Sequence, residues 1–363
     1  METKIIKLQS ENGVLSASDE EALKQAGQVL GMGGLVAFPT ETVYGLGGDA
    51  LNRESSRKIY AAKGRPSDNP LIVHIYRFED IYPITSEVTE EAKKIAEAFW
   101  PGPLTMILPK SEKVPYETTG GLDTVAVRMP SHAAARKLIE FSGGYVAAPS
   151  ANTSGKPSPT VARYVIEDML GKIDMIIDGG EVGIGLESTI IDLTVSPPQI
   201  LRPGYITREM LEAVLGKVDT DNTILRGDSG QAPKAPGMKY RHYAPKGDLT
   251  IVKGRQGQVV DYINCRAGEE MAAGEKVGII GTAEALPGYR ADVIKSVGSR
   301  TDEESIARHL YTILREFDDE GVTRIYSESF DASGFGQAIM NRLLKAAGHK
   351  VVELTDTENV LQE

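Results

Sequence analysis

The stretch KGRPSDNPL, residues 63–71, places a lysine, an arginine and an asparagine in a proline-rich turn ahead of an apolar run. The proline after Arg65 favours an extended backbone there, and alternate side chains of an extended chain share one face. We therefore expect Lys63 and Arg65 to point to the same spot. An ammonium and a guanidinium so placed suit a polyphosphate, and Asn69 adds amide hydrogen bonds. A solvated basic turn is the alternative that the spacing leaves open.

Two further segments resemble this turn in composition. PTETVYGL covers residues 39–46, and PSANTSGKPSPT covers residues 149–160. In the second of these, Ser150 and Asn152 lie two residues apart, so their hydroxyl and amide groups can contact a ligand without adding charge. An ordinary Ser/Asn turn would have the same composition.

Short β-branched runs alternate with helical patterns over the first two hundred residues, which predicts a mixed α/β domain. Helical spacing occurs around Leu23, around Ile95 and again around Leu310. The predicted strands cover residues 35–38, 71–75, 105–108, 124–129, 145–148, 175–177 and 188–193, followed by 249–252, 277–280, 324–329 and 351–354.

Two predicted strands each carry a charged or titratable side chain, and alternation along the strand indicates which face that side chain shares. Thr124 and Arg128 share a face of their strand, and an inward-facing arginine requires an anionic partner, such as a substrate carboxylate. His74 lies two residues beyond Ile72 on an apolar strand. It is either a core histidine with satisfied hydrogen bonds or a ligand contact.

The chain is expected to contain two domains joined by a linker. The α/β pattern covers residues 1–215, a polar and proline-containing segment covers 216–247, and a second, smaller α/β pattern covers 248–363. A linker of this length is uncommon unless it is functional or disordered. Its end, KYRHY at residues 239–243, is basic and aromatic, which favours a lid over the site.

Composition excludes several classes of protein. The 363 residues include 41% hydrophobic and 25% charged residues, as in globular proteins, and 40 basic against 51 acidic side chains give a net charge of −11. This charge argues against strong non-specific binding to nucleic acid. No apolar stretch is long enough for a membrane span, and the first ten residues lack the apolar core of a signal peptide, so we expect a cytoplasmic protein. The single cysteine, Cys265, excludes an intramolecular disulfide and is expected in the core.

Several familiar motifs are missing or incomplete. The sequence contains no G-x-x-x-x-G-K-[ST] phosphate loop, and the Gly334-Phe-Gly336 turn lacks the third glycine of a dinucleotide fingerprint, so it predicts a helix start. GDSG at residues 227–230 resembles a serine-protease motif, but nothing indicates partners for Ser229. The five histidines lack metal-ligand spacing, so a divalent ion is expected to arrive with ATP.

Four ordered motifs together resemble the YrdC-like family: PTETVYGL, KGRPSDNPL, PSANTSGKPSPT and GLESTIIDL, the last at residues 185–193. The resemblance covers about residues 22–208. The linker and the C-terminal part with GFGQAIMNR, residues 334–342, are similar to the two-domain form of the family. The resemblance implies a YrdC-like twisted mixed sheet with helices and a concave, positively charged cavity, followed by a Rossmann-like domain.

The same resemblance implies an activity. L-threonine, bicarbonate and Mg-ATP would give threonylcarbamoyl-AMP and pyrophosphate, the first step of threonylcarbamoyladenosine formation at position 37 of tRNA. Separate tRNA-modifying transferases would take over the product, and no prosthetic group is implied. The chemistry needs positioning and stabilisation of phosphoryl charge rather than a protein nucleophile.

The resemblance also implies a role for individual residues of these motifs. Lys63, Arg65 and Arg202 would stabilise charge during catalysis. Threonine recognition would fall to Thr42, His74, Arg128, Ala148 through its backbone, and Ser188. ATP would be held by Arg65, Asn69, Thr124, Ser150, Ser158, Arg202 and Tyr243. For the linker contribution, His242 or Tyr240 could take the place of Tyr243.

Two other functions are compatible with such a cavity. The first is a binding module for RNA or a nucleotide without catalysis, against which the net charge of −11 counts. The second is carbamoyl transfer from carbamoyl phosphate, as in hydrogenase maturation. The sequence shows no acylphosphatase-like or zinc-finger segment before the domain, so we expect threonylcarbamoyl-AMP synthesis rather than carbamoyl transfer.

Overall fold

The structure is a computed structural model that describes residues 1–9, 13–221, 235, 243–331 and 333–354. The chain divides into two compact units. The first contains Met1–Ser154 and Ser158–Tyr240, and the second contains Gly155–Pro157 and Arg241–Glu363. The domain boundaries given above stay predictions, and no sequence pattern indicates that Gly155–Pro157 belongs to the second unit. Among the described residues, no helix is both long and apolar enough to cross a bilayer.

In the described part of the first unit, eleven strands form one mixed sheet in the order β1-β8-β2-β3-β7-β4-β6-β5-β9-β10-β11. Neighbours pair in both directions: β4 and β6 are parallel, whereas β5 and β6 are antiparallel. The strands are β1 (Lys4–Lys7), β2 (Val36–Phe38), β3 (Gly45–Asp49), β4 (Ile72–His74), β5 (Leu104–Pro109), β6 (Thr124–Arg128), β7 (Val146–Ala147), β8 (Met175–Asp178), β9 (Thr189–Asp192), β10 (Gln199–Arg202) and β11 (Asp219–Thr220).

Three helices of the first unit illustrate N-terminal side-chain caps. Ser16 forms a capping box with Asp19, Asn52 accepts from the Glu54 N–H, and Thr89 accepts from the Ala92 N–H. The helices are α1 (Ala17–Gly31), α2 (Arg53–Lys63), α3 (Glu90–Phe99), α4 (Tyr116–Thr119), α5 (Ala133–Phe141), α6 (Ala162–Met169) and α7 (Arg208–Leu215).

One face of the large sheet is covered along only part of its width. Leu23 of α1 and Leu138 of α5 belong to a buried cluster with Val36 and Val146, so these two helices cover β8, β2, β3 and β7. Paired residues of neighbouring strands point to the same face. His74 pairs with Val146, so the face continues across β4 and the strands beyond it. There its buried apolar cluster contains strand residues and Ala235, but no residue from the described helices.

The second unit contains a five-stranded, fully parallel sheet in the order β14-β13-β15-β12-β16. Parallel strands joined by helices are typical of Rossmann-like architecture. The strands are β12 (Asp248–Lys253), β13 (Val277–Thr282), β14 (Val293–Gly298), β15 (Arg324–Glu328) and β16 (Val351–Glu353), and the helices are α8 (Gln256–Ala272), α9 (Glu303–Asp319) and α10 (Gly336–Ala346).

The mixed α/β fold expected from the sequence is confirmed. Every predicted strand overlaps an observed one, and α10 begins at Gly336, as the Gly-Phe-Gly turn predicts. The core position expected for Cys265 is wrong, because this residue is exposed on α8, where its thiol lies 3.7 Å from Glu269 Oε1. Burial on that helix falls instead to Val259, Ile263 and Ala267, which follow helical spacing.

Candidate active site

A row of polar side chains crosses the part of the sheet face that α1 and α5 leave uncovered. His74 on β4 pairs with Arg128 on β6, and Arg128 pairs with Thr105 on β5. Thr105 pairs with Ile190 on β9, and Ile190 pairs with Arg202 on β10. The sheet register therefore brings His74, Arg128 and Arg202 to one level of one face.

Arg128 faces inward, and its anionic partner within the chain is Glu41. The Nη2 atom donates to Glu41 Oε1 at 2.7 Å, and the two side chains are only 5% and 13% exposed. Burial raises the pKa of Glu41. The charge and hydrogen bond of Arg128, together with the nearby backbone N–H groups of Glu41 and Ser131, outweigh this effect and hold that pKa below its ordinary value. Glu41 is therefore ionised at neutral pH.

His74 is a buried, neutral imidazole. Burial, together with the positive charge of Arg128, lowers the pKa of His74 to about 3. Its Nδ1 atom lies 3.1 Å from the carbonyl oxygen of Ile72, and the ring also contacts the backbone of Val146. A neutral imidazole donates from one ring nitrogen and accepts at the other. The ring also meets Phe38 edge to face at 6.4 Å between centroids. His74 thus offers hydrogen bonding without charge.

Arg202 and Ser188 form a connected polar group at the other end of the row. Arg202 donates from Nε to the Ser188 carbonyl oxygen at 3.0 Å and from Nη2 to the Ser188 hydroxyl at 3.1 Å. The Ser188 hydroxyl also lies 2.7 Å from the hydroxyl of Thr105. All three side chains are buried, so their positions are set by the strands that carry them.

The hairpin loop between β2 and β3 brings Thr42 to the same region. Thr40 Oγ1 accepts from the backbone N–H groups of Thr42 and Val43, which closes a tight turn. The carbonyl oxygens of Glu41 and Thr42 accept from Ile184 and Gly185. Thr42 is fully buried, and its hydroxyl lies 2.9 Å from the hydroxyl of Thr40.

The extended backbone expected between Lys63 and Arg65 is wrong, whereas the convergence of the two cations on one spot stays a prediction. Lys63 is the last residue of α2, and Gly64 has a left-handed φ of 63° that turns the chain between the two cations. Lys63 Nζ instead donates to the carbonyl oxygens of Ser150 and Asn152, the latter at 2.6 Å, and lies 3.4 Å from Asn152 Oδ1. These contacts fasten the PSANTSGKPSPT loop, and the phosphate role of Lys63 stays a prediction.

Arg65 and Asn69 belong to one compact turn. Arg65 donates from Nε to the Asn69 carbonyl oxygen at 3.3 Å and from Nη2 to the Pro70 carbonyl oxygen at 3.1 Å. Asn69 is 1% exposed, and its Oδ1 atom has no hydrogen-bond partner in the described part of the chain. A buried amide oxygen without a partner is costly unless a ligand supplies the donor, which agrees with the predicted binding role.

The remaining predicted residues of the first unit lie along the same motifs. Ser150 Oγ donates to Asn152 Oδ1 at 2.5 Å, and Ser158 Oγ donates to Glu187 Oε1 at 2.6 Å. The Ala148 N–H donates to Ile72, so a ligand would have to use the Ala148 carbonyl oxygen. Thr124 begins β6, half-buried, on the face that carries Arg128.

Comparison with known proteins places this arrangement in a family. Residues 28–204 match the family model of Sua5, YciO and YrdC, described as telomere recombination, and residues 206–348 match the C-terminal domain of threonylcarbamoyl-AMP synthase. A threonylcarbamoyl-AMP synthase of Pyrococcus abyssi is 49% identical over 336 residues, 93% of this chain and 97% of its own length. The chain belongs to the threonylcarbamoyl-AMP synthase family. A Bacillus subtilis member is 48% identical over 93% of this chain and 96% of its own length.

Solved structures of the family agree with the fold. The crystal structure of Pyrococcus abyssi Sua5 complexed with L-threonine superposes with a TM-score of 0.91 at 48% identity and covers 97% of this chain and 100% of that one. The YrdC-like sheet and the C-terminal Sua5 domain are therefore both present in this family member.

The linker is described at few positions. Ala235 is fully buried against Ile72, Ile107 and Leu201, on the sheet face that carries the polar row. Tyr243 lies in the second unit, 5% exposed, with its ring 5.0 Å from that of Tyr311. Tyr240 and His242, the alternatives to Tyr243, lie outside the described residues, as do Ser229 and most of the predicted lid.

Three residues of the site were not predicted from the sequence: Glu41, Thr105 and Glu187. Glu41 lies inside the PTETVYGL motif, and the need of an inward Arg128 for an anion is a signal that could have found it. Thr105 could have been found only from strand pairing, which a single sequence does not reveal. Glu187 precedes Ser188 in GLESTIIDL, but nothing local to that motif indicates that it accepts from Ser158.

Proposed function

We propose that this chain is a nucleotidyltransferase that converts L-threonine, bicarbonate and ATP to threonylcarbamoyl-AMP and pyrophosphate. The observation that carries the proposal is near 50% identity to threonylcarbamoyl-AMP synthases over almost the full length of both chains. The L-threonine in the related crystal structure supports threonine as the amino acid. The buried row of His74, Arg128 and Arg202 supplies the polar surface that such small, charged substrates need.

Threonine would bind at the β4 and β6 end of the row. The Arg128 guanidinium suits its carboxylate, and the neutral His74 and the Thr42 hydroxyl suit its hydroxyl group. The Ser188 hydroxyl and the Ala148 carbonyl oxygen would complete the contacts. The amine attacks the carbon of bicarbonate, or of the CO₂ formed from it, and yields a carbamate with loss of water.

ATP would place its α-phosphorus next to the carbamate. A carbamate oxygen forms the new bond to phosphorus, the bond to the pyrophosphate oxygen breaks, and pyrophosphate leaves with the electron pair. Arg65 and Arg202 would stabilise the charge on the phosphoryl oxygens, with Asn69, Thr124, Ser150 and Ser158 positioning the nucleotide. Removal of one such donor would cost about 3 kcal/mol of transition-state stabilisation.

Magnesium would accompany ATP. Mg²⁺ usually takes one or two carboxylates together with substrate phosphates and water. Within the described residues no three His, Cys, Asp or Glu side chains converge, so the chain supplies no cage of its own there. A metal carried by the triphosphate fits this donor set, and when bound it would neutralise phosphate charge. The product would pass to separate tRNA-modifying transferases.

The test is incubation with Mg-ATP, bicarbonate and each amino acid in turn, with pyrophosphate release and product mass as readouts. We expect release that requires both threonine and bicarbonate, together with the mass of threonylcarbamoyl-AMP. Serine serves as the matched control because it lacks only the methyl group. Salt-sensitive RNA binding without pyrophosphate release would instead identify a binding module and reject the proposal.

A further inference from the structure

The buried ion pair of Glu41 and Arg128 leaves one atom of each partner without a hydrogen bond. Arg128 Nη2 and Glu41 Oε1 contact each other at 2.7 Å. Arg128 Nε and Glu41 Oε2 are buried and have no partner among the described residues. The pair is therefore satisfied on one side and unsatisfied on the other.

Unsatisfied charged atoms in a buried site are costly, and native structures contain few of them. A ligand that supplies both partners would remove the cost. The Arg128 N–H needs an acceptor, preferably an anion, and the Glu41 oxygen needs a donor, preferably a cation. The zwitterion of an α-amino acid carries both groups one carbon apart.

Both side chains are held by backbone that other elements fix. Arg128 lies on a central strand between His74 and Thr105. The Glu41 carbonyl oxygen accepts from Ile184 at 2.9 Å, which fastens the hairpin loop. The backbone that carries both side chains is thus fixed before a ligand arrives, as efficient recognition requires.

We propose that Glu41 is a specificity-determining residue that binds the ammonium group of the amino acid while Arg128 Nε binds its carboxylate. This inference rests on the proposed function, because it takes threonine as the ligand. The bound ammonium and bicarbonate give the carbamate, water and one proton that leaves to solvent. The carbamate nitrogen keeps one N–H, which still donates to Glu41 Oε2. Glu41 therefore holds the nitrogen in place throughout the reaction.

Charge balance gives the proposal a sharp consequence. The ion pair is neutral, and a zwitterion keeps the site neutral. A 2-hydroxy acid such as 2,3-dihydroxybutyrate, in which a hydroxyl replaces the ammonium, leaves an uncompensated negative charge. L-threoninol, which lacks the carboxylate, leaves a positive charge. Buried uncompensated charge is strongly unfavourable, so both analogues should bind more weakly than threonine.

The experiment measures the dissociation constants of L-threonine and of 2,3-dihydroxybutyrate by calorimetry with the full chain, without ATP. Glu41→Gln keeps an oxygen for Arg128 Nη2 but removes the negative charge. We expect threonine to bind roughly 10- to 100-fold more weakly to this variant, the range for a hydrogen bond to a charged group. The hydroxy acid should bind to Glu41→Gln at least as tightly as to the wild type. The preference for threonine, which is the ratio of the two dissociation constants, should therefore fall at least tenfold. Glu54→Gln, whose carboxylate pairs with the exposed Arg57, is the control and should change nothing.

A purely structural role predicts a different result. If Glu41 only holds Arg128 in place, both ligands lose affinity equally, because both have a carboxylate, and an unchanged preference overturns the proposal. If the wild type binds no threonine, the proposed function itself fails. Should Glu41→Gln not fold, Glu41→Asp replaces it. The shorter side chain keeps its charge, so the preference must survive within about threefold, and its loss overturns the proposal.

Discussion

Arg202 donates two hydrogen bonds to Ser188, one to the carbonyl oxygen at 3.0 Å and one to the hydroxyl at 3.1 Å. The family resemblance gives Ser188 to threonine and Arg202 to ATP. The two predicted subsites therefore share a hydrogen-bonded pair, and a change at the nucleotide side should be felt at the amino-acid side.

Arg202→Lys tests this connection. Lysine keeps the positive charge but lacks the planar fork that reaches both Ser188 atoms. We expect kcat/KM for ATP to fall about 100-fold, equivalent to roughly 3 kcal/mol, and KM for threonine to rise severalfold. Steady-state kinetics with each substrate varied gives both values. Arg208→Lys, in an exposed pair with Glu212, is the control. An unchanged KM for threonine would mean that the subsites are independent.

His74 predicts a pH dependence of stability. Its pKa is about 3 in the folded chain and near 6.5 when unfolded, so the unfolded chain binds more protons between these values. Stability therefore rises with pH in that window and is lost as the pH falls from 6.5 towards 3. His74→Gln removes this dependence.

Denaturant unfolding of wild type and His74→Gln at pH 7 and pH 5 measures the effect. The wild type should lose about 2 kcal/mol more than the variant over this interval. The same loss in both proteins would show that His74 is not buried as a neutral ring. Activity from pH 6 to 8 should show no ionisation of this residue.

Lys63→Met separates a loop-fastening role from a phosphate role. The variant leaves the carbonyl oxygens of Ser150 and Asn152 without their ammonium donor, which should cost about 2–4 kcal/mol of unfolding free energy in the ligand-free protein. If Lys63 served only to bind phosphate, its removal would stabilise the ligand-free protein, because a buried charge without a partner would be lost. Lys58→Met, on the same helix with one bond to Gly33, should lose less than about 1 kcal/mol in thermal or denaturant unfolding.

Gly120→Ala tests whether close packing of Gly120 holds Asn69, a predicted ATP-binding residue, in position. Gly120 has a φ of 64°, and an added Cβ would lie 3.0 Å from Asp68 O and 3.1 Å from Pro70 N, on both sides of Asn69. Gly121, with a φ of 87°, has nothing within 4 Å of such a Cβ. Both alanine variants share a backbone strain of about 1 kcal/mol. We expect only Gly120→Ala to raise KM for ATP, by severalfold, and equal KM values would reject the contact.

Ala235→Asp tests whether the linker shields the site. The alanine is fully buried on the apolar patch beside the polar row, and an aspartate there would carry an uncompensated charge. We expect the patch to open to water and enzyme-bound threonylcarbamoyl-AMP to hydrolyse faster, which chromatography over time detects. Ala273→Asp at the exposed end of α8 is the control. An unchanged product lifetime would argue against the lid.

Strands with continuous β-branched runs were predictable, because a strand that is buried on both faces has apolar residues at successive positions. Gly45–Asp49 was not, since a glycine-rich segment favours a loop, although it pairs with Val36–Phe38. Val293–Gly298 lies at a sheet edge and is only partly buried, so its pattern is weak. The second compact unit was predictable as a renewed α/β alternation.

The site was predictable in its residues but not in its contacts. Inward placement of Arg128 follows from alternation along its strand, whereas its bond to Glu41 depends on a loop that returns over the sheet. The local argument for Lys63 failed because a helix ends at this residue, and a single left-handed glycine redirects the chain. Such long-range pairings are decided by tertiary packing, which no short window of sequence contains.

The chain's return through Gly155–Pro157 restricts how the protein can be shortened. These three residues group with the second unit, while Ser150 and Ser158 on either side group with the first. Arg315 donates to the Pro157 carbonyl oxygen from Nε at 3.1 Å and from Nη2 at 2.8 Å. Truncation after residue 247 would delete this anchor along with the C-terminal sheet. A fragment that ends there would keep the turn between Ser154 and Ser158 without the arginine that holds its Pro157 carbonyl oxygen, so a shortened chain should be designed together with a new sequence for this turn.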